Sequence, residues 1–227
     1  MNIFATVAKR SVPLIISLAM TAACLFGAAG RLDWLNGWVL LGLSFLGALA
    51  ATWVLARNLE LRAERRNFKA GKSWDKVIVP FVVLVGPAAT WITAGLDFRH
   101  QWSGGVPRLA IAVAITAALL GCALIVWAMR SNKFFSAVVR VQRERGHTVV
   151  TGGPYRYIRH PGYAGMGLFT LATPLILDSW WAFIPTAATV AVTLVRTALE
   201  DRTLQNELEG YTDYARSVTC KLVPFVW

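Results

Sequence analysis

Residues 109–129 read LAIAVAITAALLGCALIVWAM, a stretch without a single charged side chain. An α-helix of about 20 such residues is long enough to cross the hydrocarbon core of a bilayer. Five further apolar blocks cover 12–29, 34–56, 77–96, 162–177 and 180–199. The whole chain is 56% hydrophobic and only 15% charged, whereas soluble domains carry about 25% charged residues. None of the blocks alternates as barrel strands do. The sequence therefore predicts an all-α, polytopic transmembrane helical bundle of about six segments.

The distribution of charge predicts how this bundle is oriented. Of 23 Lys and Arg residues, 20 fall before the first block, in the loops near 57–76 and 130–160, or from the end of the last block onward. The other side holds only Arg31, Arg99 and Arg108. This positive-inside pattern predicts that both termini lie in the cytosol. Topology therefore explains the net charge of +11, and no nucleic-acid partner is expected.

Several other classes of protein fit the sequence less well. Residues 9–29 have the layout of a secretory signal peptide, but the five blocks that follow favour an uncleaved first span. The first four blocks carry no ionisable residue at mid-depth, which disfavours an ion channel or transporter. No metal site is expected, because metal-ligand spacing is absent from the cysteines and histidines: Cys24, Cys122, Cys220, His100, His147 and His160.

A polar turn, GPYRYIRHPGYAG at 153–165, leads into the fifth block. Arg159 and His160 can donate hydrogen bonds to a carboxylate, while Glu200 and Asp201, near the end of the sixth block, can accept them from an ammonium group. Tyr155, Tyr157 and Tyr163 add flat aromatic faces with a polar tip. S-adenosylmethionine carries a carboxylate, an amine and an aromatic base, and would use all of these groups.

The same residues also allow a simpler interpretation. The basic turn could anchor lipid head groups at the membrane surface. Arg196 and Glu200, four residues apart on one helix, could form a surface salt bridge.

The turn and the residues after it resemble a known family. GPYRYIRHPGYAG followed by Arg196 and Glu200-Asp201 resembles the signature of the integral-membrane methyltransferases. These comprise the isoprenylcysteine carboxyl methyltransferases and their phospholipid methyltransferase relatives. The likeness covers roughly residues 130–227. It departs from the family at Asp201, where Glu is usual, and at Leu208-Glu209-Gly210-Tyr211, where the family has Phe-Gly-x-x-Tyr.

The resemblance implies roles for individual residues around S-adenosylmethionine on the cytosolic side. Arg159 and His160 would lie against the methionine carboxylate, and Glu200, helped by Asp201, would face the amine. The implied cofactor-binding residues are Gly153, Pro154, Tyr155, Arg159, His160, Pro161, Tyr163, Glu200 and Asp201. Arg196 is the candidate for orienting a carboxylate acceptor, whereas Glu200 or Tyr163 would help to deprotonate an amine acceptor.

We therefore expect an enzyme of the cytoplasmic or endomembrane bilayer that methylates a lipidic or small apolar acceptor, with the isoprenylcysteine carboxylate as the leading candidate. The acceptor would enter sideways from the bilayer. Phospholipid N-methylation and small-thiol S-methylation are the enzymatic alternatives, and a non-catalytic accessory protein that binds head groups is the alternative of another class. Residues 1–130 are predicted to form a four-span membrane region and 131–227 the methyltransferase core.

The connecting segments carry expectations of their own. Residues 57–76 are predicted to be an interfacial segment that sets the topology, with Phe68 and Trp74 as anchors. Residues 131–152 are predicted to form a short extended excursion, and 162–199 a helical hairpin turned at Asp178-Ser179. In the last part of the chain, apolar residues recur at steps of three and four, which predicts an amphipathic helix on the membrane surface that Pro224 ends. These residues are Leu204, Leu208, Tyr211, Ala215 and Val218.

Overall fold

A computed structural model describes residues 3–65, 67–224 and 227, and for residues 3–11 the backbone only. Lys9, Arg10 and Arg66, which belong to the charge pattern, lie outside the residues whose side chains are described. The described chain contains no β-strand, as predicted. Its α-helices are α1 (Ile3–Ala29), α2 (Leu35–Arg57), α3 (Leu59–Glu64), α4 (Asp75–Pro80), α5 (Gly86–His100), α6 (Arg108–Ser131), α7 (Pro161–Ile176), α8 (Phe183–Glu207) and α9 (Tyr211–Ser217).

Five segments of the described chain are long and apolar enough to cross a membrane, and the chain is an integral membrane protein. They cover Val12–Ala29, Leu35–Arg57, Asp75–His100, Arg108–Ser131 and Phe183–Glu207. The third joins α4 to α5 through a π-helical turn, Phe81–Val85. That turn directly follows Pro80, which has no backbone N–H to donate to the helix.

The predicted helical hairpin is confirmed. Its first helix, α7, begins at Pro161 and has 16 residues, or about 24 Å at the rise of an α-helix. At the turn, Asp178 has a φ of 60° and accepts a 2.5 Å hydrogen bond from the backbone N–H of Val106. Ser179 donates to Asp97 at the end of α5. The turn therefore lies beside the α5–α6 loop, so the short α7 connects both ends of the bundle.

The position of α7 depends on a close backbone contact with α6. A Cβ atom added to Gly121 would lie 2.5 Å from the carbonyl oxygen of Gly165, and one added to Gly165 would lie equally close to that of Gly121. Small residues at such crossings let membrane helices approach until their backbones touch.

The basic segments near 57–76, 131–160 and 208–224 meet at the end of the bundle opposite the hairpin turn at Asp178-Ser179. Lys72 pairs with Glu207 at 2.5 Å, and Arg140 pairs with Glu64 at 2.6 Å. The segments near 57–76, 131–160 and 208–224 thus lie at one end, as a shared side of the membrane requires.

The segment 131–152 differs from its prediction as an extended excursion. It is irregular, with one 3-10 turn at Arg143–Arg145. Its backbone pairs with other segments instead of with a neighbouring strand. Val139, for example, donates to the Asp75 carboxylate and accepts from the N–H of Lys72.

The C-terminal part does not form the predicted helix on the membrane surface. α8 continues to Glu207, and Gly210, with a φ of 77°, separates it from the short α9. Leu208, Tyr211 and Tyr214 are buried. The two tyrosines can be buried because their hydroxyls donate hydrogen bonds inside the protein, Tyr211 to Asp201 and Tyr214 to the carbonyl of Tyr155. The tail folds back over the end of the bundle, and α9 ends well before Pro224.

Candidate functional site

A cavity of about 430 Å³ opens at the end of the bundle where the basic segments meet. Its volume falls within the range of small-molecule sites, about 300–1,000 Å³. α4, α6, α7 and α8 contribute to its wall, together with the segments 65–68 and 134–150 and the tail. One part of the wall is apolar and includes Val79, Val83 and Met166. Another part is polar and aromatic, so the cavity can hold a ligand with both characters.

Arg159, in the polar turn, is held by a buried carboxylate on α8. Its Nε and Nη2 donate to the two oxygens of Asp201 at 2.8 and 3.0 Å. Its Nη1 donates to the carbonyl oxygens of Val218 and Thr219 at 2.7 and 2.9 Å. Burial disfavours the charge of this guanidinium, but the hydrogen bonds and charge of Asp201 outweigh burial and raise the pKa of Arg159. Arg159 thus ties the turn to both α8 and the tail.

Asp201 collects further donors from three elements. His160 Nε2 lies 3.0 Å from its Oδ1, and the Tyr211 hydroxyl donates to the same oxygen at 3.0 Å. Gln205 donates to Oδ2 at 2.8 Å. Burial, followed by the charge of Asp201, raises the pKa of Tyr211, so this hydroxyl stays a donor. Asp201 itself does not line the cavity.

Arg196, on α8, has a separate partner that the sequence did not suggest. Its Nε and Nη2 donate to the carboxylate of Asp75 at 2.7 and 3.2 Å, and Nη2 also donates to the carbonyl of Ala137 at 2.9 Å. Its guanidinium lies 5.3 Å from the centre of the Tyr163 ring. Arg196 forms no ion pair with Glu200 in the structure, so the surface salt bridge that the sequence allowed between these two residues is not formed.

Glu200 is the carboxylate that lines the cavity among the residues the structure describes. It is half-buried and accepts a 2.6 Å hydrogen bond from the hydroxyl of Tyr163. The two side chains come from the two helices of the hairpin and face each other across it. None of the basic residues described lies within 4.0 Å of Glu200, so its charge remains available to a cationic ligand.

The glycine-rich start of the turn serves to place Tyr155. Gly153 has a φ of 59°, and a Cβ atom there would lie 2.2 Å from the hydroxyl oxygen of Ser131. The chain then enters a 3-10 turn at Gly153–Arg156. This turn directs the ring of Tyr155 to the cavity wall, where its hydroxyl accepts from Asn132 at 3.2 Å.

The structure brings together most of the residues that the sequence singled out. Lining the cavity are Tyr155, Arg159, His160, Tyr163, Arg196 and Glu200. The wall does not include Gly153, Pro154, Pro161 or Asp201. Sequence reasoning missed Asp75, Asn132 and Tyr214, and it placed Tyr211 on a surface helix instead of at the site. Asp75 carried one usable signal, an acidic residue within a basic stretch at the start of an apolar block.

The cavity wall also includes a histidine that stays neutral. The backbone N–H of Gln142 donates to Nδ1 of His147 at 3.2 Å. Burial, reinforced by the charges of Arg140 and Arg145, lowers the pKa of His147 to about 4. Within the described ranges, no three His, Cys, Asp or Glu residues are grouped so that they could hold a metal ion.

Comparison with known proteins adds information that the geometry alone does not contain. A family model described as "Phospholipid methyltransferase" matches residues 109–209. A protein-S-isoprenylcysteine O-methyltransferase of Schizosaccharomyces pombe is 28% identical over 185 residues, which cover 73% of this chain and 76% of that protein.

Two further relatives are also named protein-S-isoprenylcysteine O-methyltransferases. The Arabidopsis thaliana protein-S-isoprenylcysteine O-methyltransferase A is 28% identical over 56% of this chain and 62% of its own length. The Mus musculus enzyme is 31% identical over 40% of this chain and 33% of its own length. The chain thus spans less than two thirds of the plant and mouse relatives. Residues 109–209, which the family model matches, include the hairpin, Arg196 and Glu200.

Proposed function

We propose that the chain is a member of the family of integral-membrane methyltransferases that comprises the isoprenylcysteine carboxyl methyltransferases and the phospholipid methyltransferases. Within that family, it methylates the carboxylate of an isoprenylcysteine-type acceptor. The observation that carries this proposal is Glu200. It is a carboxylate without a cationic partner, placed in a cavity with both a polar aromatic wall and an apolar wall.

The residues present fit S-adenosylmethionine. Glu200, oriented by Tyr163, would accept from the ammonium group. Tyr155, Tyr163 and Tyr211 line the cavity and are available to the adenine. His160 contacts Asp201 at 3.0 Å, and its ring centre lies 6.0 Å from that of Tyr163. When bound, the cofactor supplies a methyl group that its sulfonium has already activated. The protein then has to align the acceptor and exclude water.

Arg159 and Asp201 act in this proposal as a supporting pair. Two nitrogens of Arg159 are committed to Asp201 and the third to tail carbonyls. The pair would hold His160 and the tail in place around the methionine end, rather than bind its carboxylate directly.

A carboxylate acceptor suits the donors and acceptors that line the cavity. Its attacking oxygen carries no proton at neutral pH, so no side chain has to remove one. Arg196 uses Nε and Nη2 for Asp75 and Ala137, while its Nη1 makes no hydrogen bond within the described chain. This nitrogen can orient an acceptor oxygen. An amine acceptor would need Glu200 or Tyr163 as a base, and both are already joined to each other.

The apolar wall supports an acceptor that arrives from the bilayer. Val83 is 60% exposed and Phe68 is 55% exposed, and both also line the cavity. Surfaces of this kind face lipid in a membrane protein, so they offer a prenyl chain a path from the membrane to the polar wall. The positive-inside pattern favours the cytosol as the side on which this end of the bundle lies.

The division of the chain at residue 130 remains a prediction. Cavity residues come from both sides of it, for example Val79 and Tyr163.

Binding of the cofactor tests the site. We expect the detergent-purified protein to bind S-adenosylmethionine, and Glu200→Gln to raise its Kd by about 10-fold or more, the usual effect of losing a charge-assisted hydrogen bond. Glu209→Gln is the matched control, because Glu209 is exposed and outside the cavity wall. Absence of binding by the parent protein would leave the accessory-protein interpretation as the better one.

The chemistry of the product tests the acceptor class. Native membranes supplied with labelled S-adenosylmethionine and a prenylated cysteine should yield a methyl ester, which releases labelled methanol in base. N-methyl and S-methyl products are stable to that treatment and would point to the phospholipid or thiol alternatives. Equal rates with a non-prenylated acceptor would contradict access from the bilayer.

A further inference from the structure

Four arginines line the cavity, and three of them are neutralised. Each of the three forms an ion pair with a carboxylate outside the cavity wall: Arg140 with Glu64, Arg159 with Asp201 and Arg196 with Asp75. The fourth is Arg65, directly after α3.

Arg65 has no such partner in the described chain. No carboxylate lies within 4.0 Å of its guanidinium, which sits 5.4 Å from the centre of the Phe135 ring. The nearby acids on α3 are committed elsewhere, Glu60 to Arg145 and Glu64 to Arg140.

The guanidinium of Arg65 opens to the cavity. It makes no hydrogen bond in the described chain, yet no side-chain nitrogen or oxygen described is both buried and without a hydrogen-bond partner. Its nitrogens therefore reach open space. Burial, followed by the charge of Arg196, lowers the pKa of Arg65. The charge of a bound anion would offset both effects, since an opposite charge favours the charged form.

The surroundings of Arg65 indicate which anion fits. Its guanidinium packs against the ring of Phe135, and Phe68, Val79 and Val83 line the same cavity. The tyrosines of the tail and the Arg159–Asp201 network are bound to the polar turn instead. An anion at Arg65 thus lies where an apolar chain can extend from it into the membrane. This is the form of a prenylated cysteine, with its carboxylate next to a lipid chain.

We propose that Arg65 is the counter-ion of the acceptor carboxylate and the residue that selects an anionic lipidic acceptor. The inference rests on the proposed function and adds a residue to it. Arg196 provides a hydrogen-bond donor whose charge Asp75 balances, whereas Arg65 provides net charge. Among the described residues that line the cavity, Glu200 is then a carboxylate without an ion pair, for the cofactor's ammonium, and Arg65 an arginine without an ion pair, for the acceptor.

The test varies the charge on the ligand and on the residue together. Binding of an S-prenylated N-acetylcysteine and of its neutral carboxamide is measured on the full-length protein in lipid nanodiscs, alongside binding of S-adenosylmethionine. We expect the parent protein to prefer the carboxylate by about 10- to 100-fold, the usual effect of a charge-assisted contact. Arg65→Gln should bind both ligands equally, and Arg65→Lys should keep a preference. Lys69→Gln removes one charge from an exposed position of the same loop and should behave as the parent protein.

The outcomes separate this inference from the proposed function. A parent protein that binds both ligands equally, or a preference that survives in Arg65→Gln, overturns the role of Arg65 while leaving cofactor binding intact. An Arg65→Gln variant that loses S-adenosylmethionine but keeps its preference for the carboxylate assigns Arg65 to the cofactor and also overturns it. If Arg65→Gln does not fold, the parent protein and Arg65→Lys provide the test. Both must bind the carboxylate more tightly than the carboxamide, and a lack of preference in either protein overturns the role of Arg65.

Discussion

Replacing Asp201 with Asn should loosen the whole end of the bundle that forms the polar wall. Asp201 is 1% exposed and accepts hydrogen bonds at both oxygens. Arg159 and Gln205 donate to Oδ2, while Arg159, His160 and Tyr211 surround Oδ1. An amide has one oxygen and one NH₂ group. In either orientation, its NH₂ would face at least two of these donors.

The magnitude follows from the number of bonds lost. Breaking a buried ion pair by removing one partner costs about 3–5 kcal/mol, and two lost hydrogen bonds to a charged group give a similar sum at about 1.5–3 kcal/mol each. For a chain of this size, that corresponds to a fall in Tm of about 6–20 °C. Because Arg159 also holds the carbonyls of Val218 and Thr219, the tail should detach first.

Two measurements on the detergent-purified protein check this expectation. Thermal unfolding should show the lower Tm, and limited trypsin digestion should cut Asp201→Asn faster at Arg216 and Lys221. Asp213→Asn is the control, because Asp213 forms an exposed pair with Arg216 that contributes at most about 1 kcal/mol. An Asp201→Asn variant with the Tm and the tail protection of the parent would refute the role given to Asp201.

Three further changes have defined outcomes. Gly153→Ala should destabilise the turn by about 1–3 kcal/mol and weaken cofactor binding, since it meets Ser131 and strains a left-handed backbone; unchanged cofactor affinity would count against this. Gly165→Val should force α7 away from α6 at Gly121 and lower the yield of folded protein, which size-exclusion chromatography can measure. The pKa of His147 lies below its ordinary 6.5, at about 4. The unfolded chain therefore binds the proton first, and stability should fall as the pH drops from about 6.5 to about 4. His147→Asn should lack that component, and an identical pH profile of Tm would refute it.

Local sequence patterns predicted most of the helices. Apolar length identified the blocks, Pro161 marked the start of α7, and Asp178-Ser179 marked the hairpin turn. These features are local, because each span must form the hydrogen bonds of its own backbone inside the bilayer, independently of the other spans. The tail was mistaken for a surface helix because its spacing of three and four fits a packed helix as well as a lipid-bound one. Only the hydrogen bonds of the Tyr211 and Tyr214 hydroxyls and the break at Gly210 distinguish the two.

The pairing of charges was not predictable in the same way. Arg159, Arg196 and Glu200 were recognised as important, yet the sequence does not show that Asp75, far away along the chain, neutralises Arg196. The segment 57–76 looked like a determinant of topology and nothing more, although it contributes Arg65 and Phe68 to the cavity.

The sequence by itself determined that this is a helical membrane protein, which segments are long enough to span, and which polar turn contributes to the cavity, because bilayer thickness and hydrogen-bonding chemistry act on contiguous residues. Tertiary structure decided which charges remain available. An ionisable group is neutralised by whatever lies within a few ångströms of it, and packing brings together residues that are distant in sequence. Packing therefore leaves Glu200 and Arg65 without an ion pair in the described chain, while Arg159 and Arg196 are paired.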